Sequence, residues 1–256
     1  MKSILKYAGF TLLFFASYLV FISFSNENKL LASVDKIAEY YNKNKGDSIP
    51  SISSGTVSNG SLKHGKLIPF YGDNYQYFDS WSYLQGRAFL NGSVLATVLK
   101  TYSILSVKSP YQQYRVMECS HENGGKLYPH RTHQNGLSVD FMMPLMKAGK
   151  PYYELDDKGV KHYLLDFNDE GSYEKDVSIS IDFERVAQHV LILDQQARKQ
   201  GLKITKVIIK IELKDELFNC VSGKLLKNSG IYIVQGLTPK INKLHDDHYH
   251  IDFGPI

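Results

Sequence analysis

Two short histidine-bearing segments, far apart in the chain, constrain its fold more than any other feature. The first is His130-Arg-Thr-His-Gln-Asn-Gly-Leu-Ser-Val-Asp140, and the second is His245-Asp-Asp-His-Tyr-His250. Six of the nine histidines lie in or just before them: His121, His130, His133, His245, His248 and His250. Neutral imidazoles and one carboxylate are the ligands of a hydrolytic zinc ion that keeps a coordination position open. A fold that joins both segments would therefore fit a metal-dependent hydrolase.

The second segment continues into an alternation typical of a β-strand, Tyr249-His-Ile-Asp-Phe253. Side chains two residues apart project from the same face of a strand. This predicts that His248, His250 and Asp252 share one face, while Tyr249, Ile251 and Phe253 pack on the other. Imidazoles spaced in this way could serve one reacting water molecule, one as a metal ligand and its neighbour as the proton acceptor.

In the first segment, Gly136 permits a tight turn into a strand predicted over residues 137–142. His133 would then lie on the loop and Asp140 in the strand, so that chain reversal could bring both to one ion. The competing interpretation is that these are surface or hydrogen-bonded histidines without a metal.

Composition and charge restrict the other functional classes. A chain of 256 residues can form one catalytic domain or at most two small ones. The net charge is only +4 and no concentrated Lys/Arg block occurs, so we expect no nucleic-acid partner. Lys2 and Lys6 precede an apolar run from Ala8 to Phe24, a pattern typical of an export signal. Residues 1–25 are therefore predicted to be a signal peptide or a cytoplasmic-membrane anchor, with the rest outside the cytoplasm.

The remaining pattern predicts an α+β fold, with helices against a small, mostly antiparallel sheet that carries the zinc site. Residues 26–53 are expected to be a linker with a short helix from Ser33 to Lys45, and residues 54–256 the catalytic domain. Apolar spacing predicts helices near Asn91–Leu105 and Asp182–Gln200. The predicted strands cover residues 114–118, 137–142, 206–211, 231–234 and 249–253, and Asp156-Asp-Lys-Gly159 is expected to be a hairpin turn.

Two further features leave alternatives open. Cys119 and Cys220 could form a disulfide in an oxidising compartment, or could be two buried thiols in neighbouring strands. The aromatic segment from Tyr71 to Tyr83 could line a substrate groove, although such residues more often belong to the core.

The segment from Pro129 to Phe141 resembles the core motif of the penicillin-insensitive murein endopeptidases. These belong to a zinc peptidase superfamily that includes lysostaphin-type enzymes, D-Ala-D-Ala carboxypeptidases and the hedgehog domain. Its signature is His-x6-Asp followed by a distant His-x-His, and both parts occur here. Residues 54–69, 182–185 and 206–213 are similar to further segments of the family. The chain departs from the family after His250, where Ile-Asp-Phe-Gly replaces a more usual apolar-basic pair.

The resemblance implies that His133, Asp140 and His250 hold one zinc ion, with a second site left open, and that His248 is the general base. His130 and His245 would stabilise an oxyanion or orient ligands; the alternative is that both are solvent-exposed loop histidines. The implied activity is cleavage of D-alanyl crosslinks of peptidoglycan in the periplasm. The alternatives are a D,D-carboxypeptidase, which needs a cation such as Arg87, Arg115 or Arg131 for the free carboxylate, and a non-catalytic zinc module that binds wall peptides.

Overall fold

The structure is a computed structural model that describes residues 34–256. The predicted export signal, residues 1–25, lies outside the described residues. The chain divides into two units between Lys43 and Asn44, and the second unit, Asn44–Ile256, is compact. Residues 34–44 form helix α1, where the sequence predicted a short helix. Among the described helices, none has the length and apolar character needed to cross a bilayer.

The second unit contains small sheets, two long helices and several short ones in an α+β arrangement, as predicted. Its helices are α2 (Ser80–Leu84), α3 (Gly92–Lys108), α4 (Phe183–Lys199), α5 (Lys214–Asn219), α6 (Val221–Lys227) and α7 (Pro239–Lys243). Its strands are β1 (Ile52–Thr56), β2 (Asn59–Lys63), β3 (Lys66–Leu67), β4 (Tyr75–Tyr77), β5 (Phe89–Leu90), β6 (Tyr114–Val116), β7 (Ser138–Met142), β8 (Leu145–Lys147), β9 (Lys150–Tyr152), β10 (Ser172–Tyr173), β11 (Asp176–Ile181), β12 (Leu202–Ile208) and β13 (His248–Pro255). Two 3₁₀ segments cover Asp156–Leu164 and Ile211–Leu213.

The largest sheet has five strands in the order β12-β13-β7-β6-β4, with only β4 and β6 parallel. A four-stranded antiparallel sheet has the order β10-β11-β8-β9, and β1-β2 and β3-β5 form two-stranded pairs. The large sheet places the two histidine-bearing segments side by side, because β13 pairs directly with β7.

Helices α3 and α4 cover one face of this sheet. Both begin at side-chain caps: Asn91 accepts from the Ser93 N–H, and Asp182 accepts from the Arg185 N–H. Gly201 follows α4 with φ +74°, a conformation that glycine adopts without strain. The two predicted long helices are therefore confirmed.

His189 of α4 packs into an aromatic layer on this face. Its ring stacks on Tyr102 and Tyr114 at 5.3 and 5.6 Å, and its Nδ1 shares a 2.8 Å hydrogen bond with the Tyr249 hydroxyl. Tyr249 also stacks on Phe141 of β7. These contacts with the aromatic layer confirm the prediction that Tyr249 packs on the face opposite His248 and His250, and Ile251 and Phe253 of the same face are buried.

Two local predictions are wrong. Residues 231–234 form no strand and make a single bridge, from Ile233 to Val207, because a short apolar run can be buried without a ladder. Residues 156–159 begin a 3₁₀ segment rather than a hairpin turn, and Asp156 and Asp157 lie 3.9 and 3.1 Å from the Arg115 guanidinium. The hairpin of this region is β8-β9, whose turn residues Ala148 and Gly149 both have positive φ.

The features left open by the sequence are resolved in part. Of the aromatic segment, Tyr75, Tyr77, Phe78 and Tyr83 are core residues, whereas Tyr71 and Trp81 are 51% and 62% exposed. Cys119 and Cys220 are unpaired thiols. Cys119 is buried and donates to the Met117 carbonyl, and Cys220 caps the N-terminus of α6 rather than lying in a strand.

Candidate metal centre

The β7-β13 register builds the core of the site. It pairs His250 with Asp140, and Asp252 with Ser138. The Nδ1 of His250 lies 2.7 Å from Asp140 Oδ1, and its Nε2 lies 2.6 Å from Asp252 Oδ1. These three side chains are buried. If Nε2 carries the proton and donates to Asp252, the Nδ1 lone pair faces the space beside Asp140.

Asp252 is itself held by two further groups. Its Oδ1 also accepts from Ser138 Oγ at 2.6 Å, and its Oδ2 lies 2.6 Å from Lys206 Nζ. Burial disfavours a charged His250, but Asp252 and Asp140 outweigh burial and raise its pKa to about 9. When no cation lies beside it, both carboxylates therefore favour the imidazolium form of this ring.

The loop before β7 delivers His133 in a strained conformation. His133 has φ +68°, which is uncommon for a residue with a side chain. The β1-β2 hairpin holds the loop: the Gln134 N–H donates to Val57 O at 3.0 Å, and Ser53 Oγ donates to Asn135 O at 2.6 Å. Gly60 permits this approach, because a Cβ there would lie 2.9 Å from Asn135 Cβ.

His133 and Asp140 meet with unsatisfied polar atoms. His133 Nε2 lies 3.3 Å from Asp140 Oδ1, although the contact is not aligned as a hydrogen bond. Both ring nitrogens of His133 and Oδ2 of Asp140 are buried without a hydrogen-bond partner among the described residues. Each such atom costs about 1–3 kcal/mol. A divalent cation would satisfy them, and a nitrogen-and-carboxylate donor set suits zinc. The residues present therefore fit a metal site.

His130 lies at the edge of the same site. Its Nδ1 is 3.6 Å from Asp140 Oδ2, and its side chain is 18% exposed. The ligand atoms of His130, His133 and Asp140 all lie within 4.8 Å of one another, so they form a group that could hold a metal. Two three-residue sets thus share His133 and Asp140, completed by either His130 or His250.

His248 lies two residues before His250 on the same face of β13, and it forms a pair with Asp247. The Asp247 Oδ1 accepts from His248 Nδ1 at 2.5 Å, and both side chains are buried. Burial opposes protonation of His248, but the Asp247 carboxylate outweighs burial and raises its pKa. With Nδ1–H donated to Asp247, Nε2 is left as a free base.

Residues 53–253 match the family model of the penicillin-insensitive murein endopeptidases. The chain belongs to this family. Its members are peptidoglycan-cleaving metallopeptidases, so the predicted class of enzyme and its substrate are confirmed. No curated protein matches the chain. Because peptidoglycan lies outside the cytoplasm, this murein endopeptidase acts in an extracytoplasmic compartment.

His245 of this murein endopeptidase lies beside His248, with their ring centroids 4.8 Å apart. Its Nδ1 donates to the Ile241 carbonyl at 2.7 Å. Burial lowers the pKa of His245 to about 3, and likewise that of His130. Since the neutral ring has only one N–H, His245 presents its Nε2 as an acceptor.

The other histidines lie outside the metal cluster. His64 pairs with Asp47 at 2.8 Å, and His121 Nδ1 contacts Gly86 O at 3.1 Å. His189 belongs to the aromatic layer. His162 is buried, and its Nε2 lies 3.2 Å from the Asp247 carbonyl oxygen.

Two residues beside the metal cluster, Asp247 and Tyr163, are not among those that the sequence predicted. Asp247 stands inside the second histidine segment, and its position next to His248 could have identified it. Tyr163, on the 3₁₀ segment 156–164, places its ring edge-on to His248 with centroids 5.3 Å apart. No motif covers Tyr163, so only the tertiary structure identifies it.

Proposed function

We propose that the chain is a zinc-dependent endopeptidase that cleaves D-alanyl peptide crosslinks of peptidoglycan. One observation carries this proposal: ring nitrogens of His133 and His250 converge on the same Asp140 oxygen, 3.3 and 2.7 Å away. His248, an oriented general base, lies two residues from His250 on the same face of β13. A zinc hydrolase needs a set of metal ligands and a general base beside them, and these residues supply both.

We assign the zinc ion to His133, Asp140 and His250 rather than to the set that contains His130. A metal-binding histidine usually donates its second ring nitrogen to a carboxylate. His250 has such a partner in Asp252, whereas no hydrogen bond joins His130 to another described residue. His130 is then a neighbour of the ion, near the Oδ2 side of Asp140.

A zinc ion held there would polarise the scissile carbonyl and lower the pKa of a water molecule. The protein's own contribution is the movement of a proton. His248 Nε2 accepts a proton from the attacking water, and Asp247 stabilises the imidazolium that forms. The same nitrogen returns that proton to the leaving amine as the C–N bond breaks.

The alternatives have less support. A D,D-carboxypeptidase needs a free cation, but Arg87 lies 2.6 Å from Glu118 and Arg115 lies 3.1 Å from Asp157. Arg131 is exposed. A non-catalytic zinc module has no use for the buried Asp247–His248 pair.

The proposal extends to the organisation of the whole chain. Residues 1–25 would direct export to the periplasm or anchor the protein to the cytoplasmic membrane, and residues 26–53 would link them to the enzyme over 54–256. The charge pattern around the apolar run from Ala8 to Phe24 supports this arrangement.

The test is digestion of crosslinked muropeptide dimers with the full chain, with zinc and with a chelator. We expect conversion of dimers to monomers only with zinc, and mass spectrometry should show no loss of a terminal D-alanine from monomers. Intact dimers under zinc-replete conditions would contradict the proposal.

Metal analysis of four variants tests the assignment of roles. His133→Ala and His250→Ala should lose zinc and turnover together, whereas His248→Ala should keep zinc and lose turnover. His130→Ala should keep zinc. Loss of zinc in His130→Ala with retention in His250→Ala would overturn the ligand set.

A further inference from the structure

Tyr163 lies between two histidines of the site without being a metal ligand. Its ring is perpendicular to that of His248, with centroids 5.3 Å apart, and its centroid lies 6.5 Å from that of His130. Tyr163 and Asp247 also line a cavity of ≈ 220 Å³. The lining of this cavity includes none of the proposed metal ligands.

The hydroxyl of Tyr163 is buried and has no hydrogen-bond partner among the described residues. Tyr102 and Tyr114 share this property, but both belong to the aromatic layer on the helix-covered face of the sheet. Of the described tyrosines, only Tyr163 combines an uncommitted hydroxyl with ring contacts to His248 and His130. A buried donor costs free energy unless a partner arrives, and here the partner would come with the substrate.

The 3₁₀ segment that carries Tyr163 is fixed to the strand that carries His248. The adjacent His162 is buried, with its Nδ1 3.4 Å from Leu155 O and its Nε2 3.2 Å from Asp247 O. Only one of the two contacts can be a hydrogen bond, because a neutral ring has one N–H, but both hold this imidazole between the backbone at the start of the 3₁₀ segment and the backbone before His248. The Tyr163 ring is therefore positioned by the same residue that supports the Asp247–His248 pair.

Two other donors near the base, those of His245 and His248, are already committed, whereas His130 lies at the more exposed edge of the site. The N–H of neutral His245 is donated to Ile241 O, and the Nδ1–H of His248 is donated to Asp247. Burial raises the pKa of the Tyr163 hydroxyl well above its ordinary value, so the hydroxyl keeps its proton at neutral pH and can donate throughout the reaction.

We propose that Tyr163 is a catalytic residue that donates a hydrogen bond to the oxyanion formed at the scissile carbonyl. The inference rests on the proposed function. Water oxygen bonds to the carbonyl carbon, the carbonyl π electrons move to its oxygen, and His248 takes the water proton. When the oxyanion collapses, the C–N bond breaks and His248 delivers that proton to nitrogen. Tyr163 keeps its own proton from start to finish.

The test compares Tyr163→Phe with Tyr102→Phe, a matched control that also removes a buried, unpartnered hydroxyl. With crosslinked dimer as substrate, Tyr163→Phe should lower kcat by about 10²–10³-fold, as removal of an oxyanion donor does. KM and the zinc dissociation constant, measured by chelator competition, should stay near wild type. Tyr102→Phe should keep wild-type kcat.

A second measurement separates oxyanion binding from a structural role. A phosphinate analogue of the crosslink carries a tetrahedral anion, so its dissociation constant should rise in Tyr163→Phe by the factor lost in kcat/KM. Wild-type kcat in Tyr163→Phe would overturn the inference and leave the proposed function intact. Weaker zinc binding in this variant would instead make Tyr163 a support of Asp140. If the wild-type protein leaves the dimer uncut, the proposed function itself fails.

Discussion

Replacement of Asp247 by asparagine should disable the base without disturbing a metal ligand. Asp247 Oδ1 accepts from His248 Nδ1 at 2.5 Å, and both side chains are buried. A carboxylate only accepts hydrogen bonds, so it fixes the proton on Nδ1 and leaves Nε2 free. An amide both donates and accepts, so Asp247→Asn lets the ring adopt the opposite tautomer.

Two losses combine in Asp247→Asn. A hydrogen bond to a charged group contributes about 1.5–3 kcal/mol, and its loss removes the preference for the productive tautomer. A similar amount is lost when His248 becomes an imidazolium beside a neutral amide. The sum, about 3–6 kcal/mol, corresponds to a roughly 10²–10⁴-fold lower kcat, within the range of general-base catalysis.

The assay is kcat on crosslinked muropeptide dimers for Asp247→Asn, His248→Ala and the double variant, with the zinc content of each. Because Asp247 acts through His248, the double variant should match His248→Ala within about twofold. Asp246→Asn is the matched control, since this neighbouring buried carboxylate accepts from the Phe167 N–H at 3.1 Å. Multiplicative losses in the double variant, or an equal loss in Asp246→Asn, would refute the reasoning.

Two further predictions concern metal affinity and acid stability. Asp252→Asn should weaken zinc binding by about 10–100-fold in a chelator competition; Asp194→Asn, which alters a buried carboxylate bound to the Ile204 N–H and Arg198, should not. Burial lowers the pKa of His189 to about 3, so the folded protein favours the neutral ring. The resulting contribution to stability is fully present above the ordinary pKa of histidine and is lost as the pH falls below that value. Linkage then predicts that unfolding free energy falls by about 2 kcal/mol between pH 7 and pH 5. Urea titrations with chelator should show a flatter profile for His189→Phe; parallel profiles would contradict this.

The sequence predicted the parts of the fold that depend on periodicity. The alternation of residues 248–253 assigned the correct face to each side chain, and apolar spacing with Asn91 and Asp182 as caps located the two long helices. These features share one property: their signal lies within a few neighbouring residues.

The errors lie where distant residues decide the local structure. Asp156-Asp-Lys-Gly159 has turn chemistry, yet Arg115 from β6 pairs with its carboxylates and the segment becomes 3₁₀. The alternation of the strand places Asp252 on the correct face, but its ion pair with Lys206 depends on the pairing of β12 with β13. Tyr163 has no sequence signal at all, because its role depends on a contact between a 3₁₀ segment and a strand.

Backbone strain and buried polar atoms without partners coincide at two residues of the site, and this supports a metal-centred function independently of any motif. His133 combines a left-handed backbone with two buried, unpartnered nitrogens, and Asp140 adds an unpartnered oxygen. By contrast, the nearby buried carboxylates of Glu118 and Asp252 each have a cation, Arg87 and Lys206. Among the described residues, the Asp140 carboxylate instead pairs only with imidazole rings, those of His130, His133 and His250, so an electrostatic deficit remains at this carboxylate. A divalent cation at that point would remove the deficit, and its binding energy would offset the strain at His133.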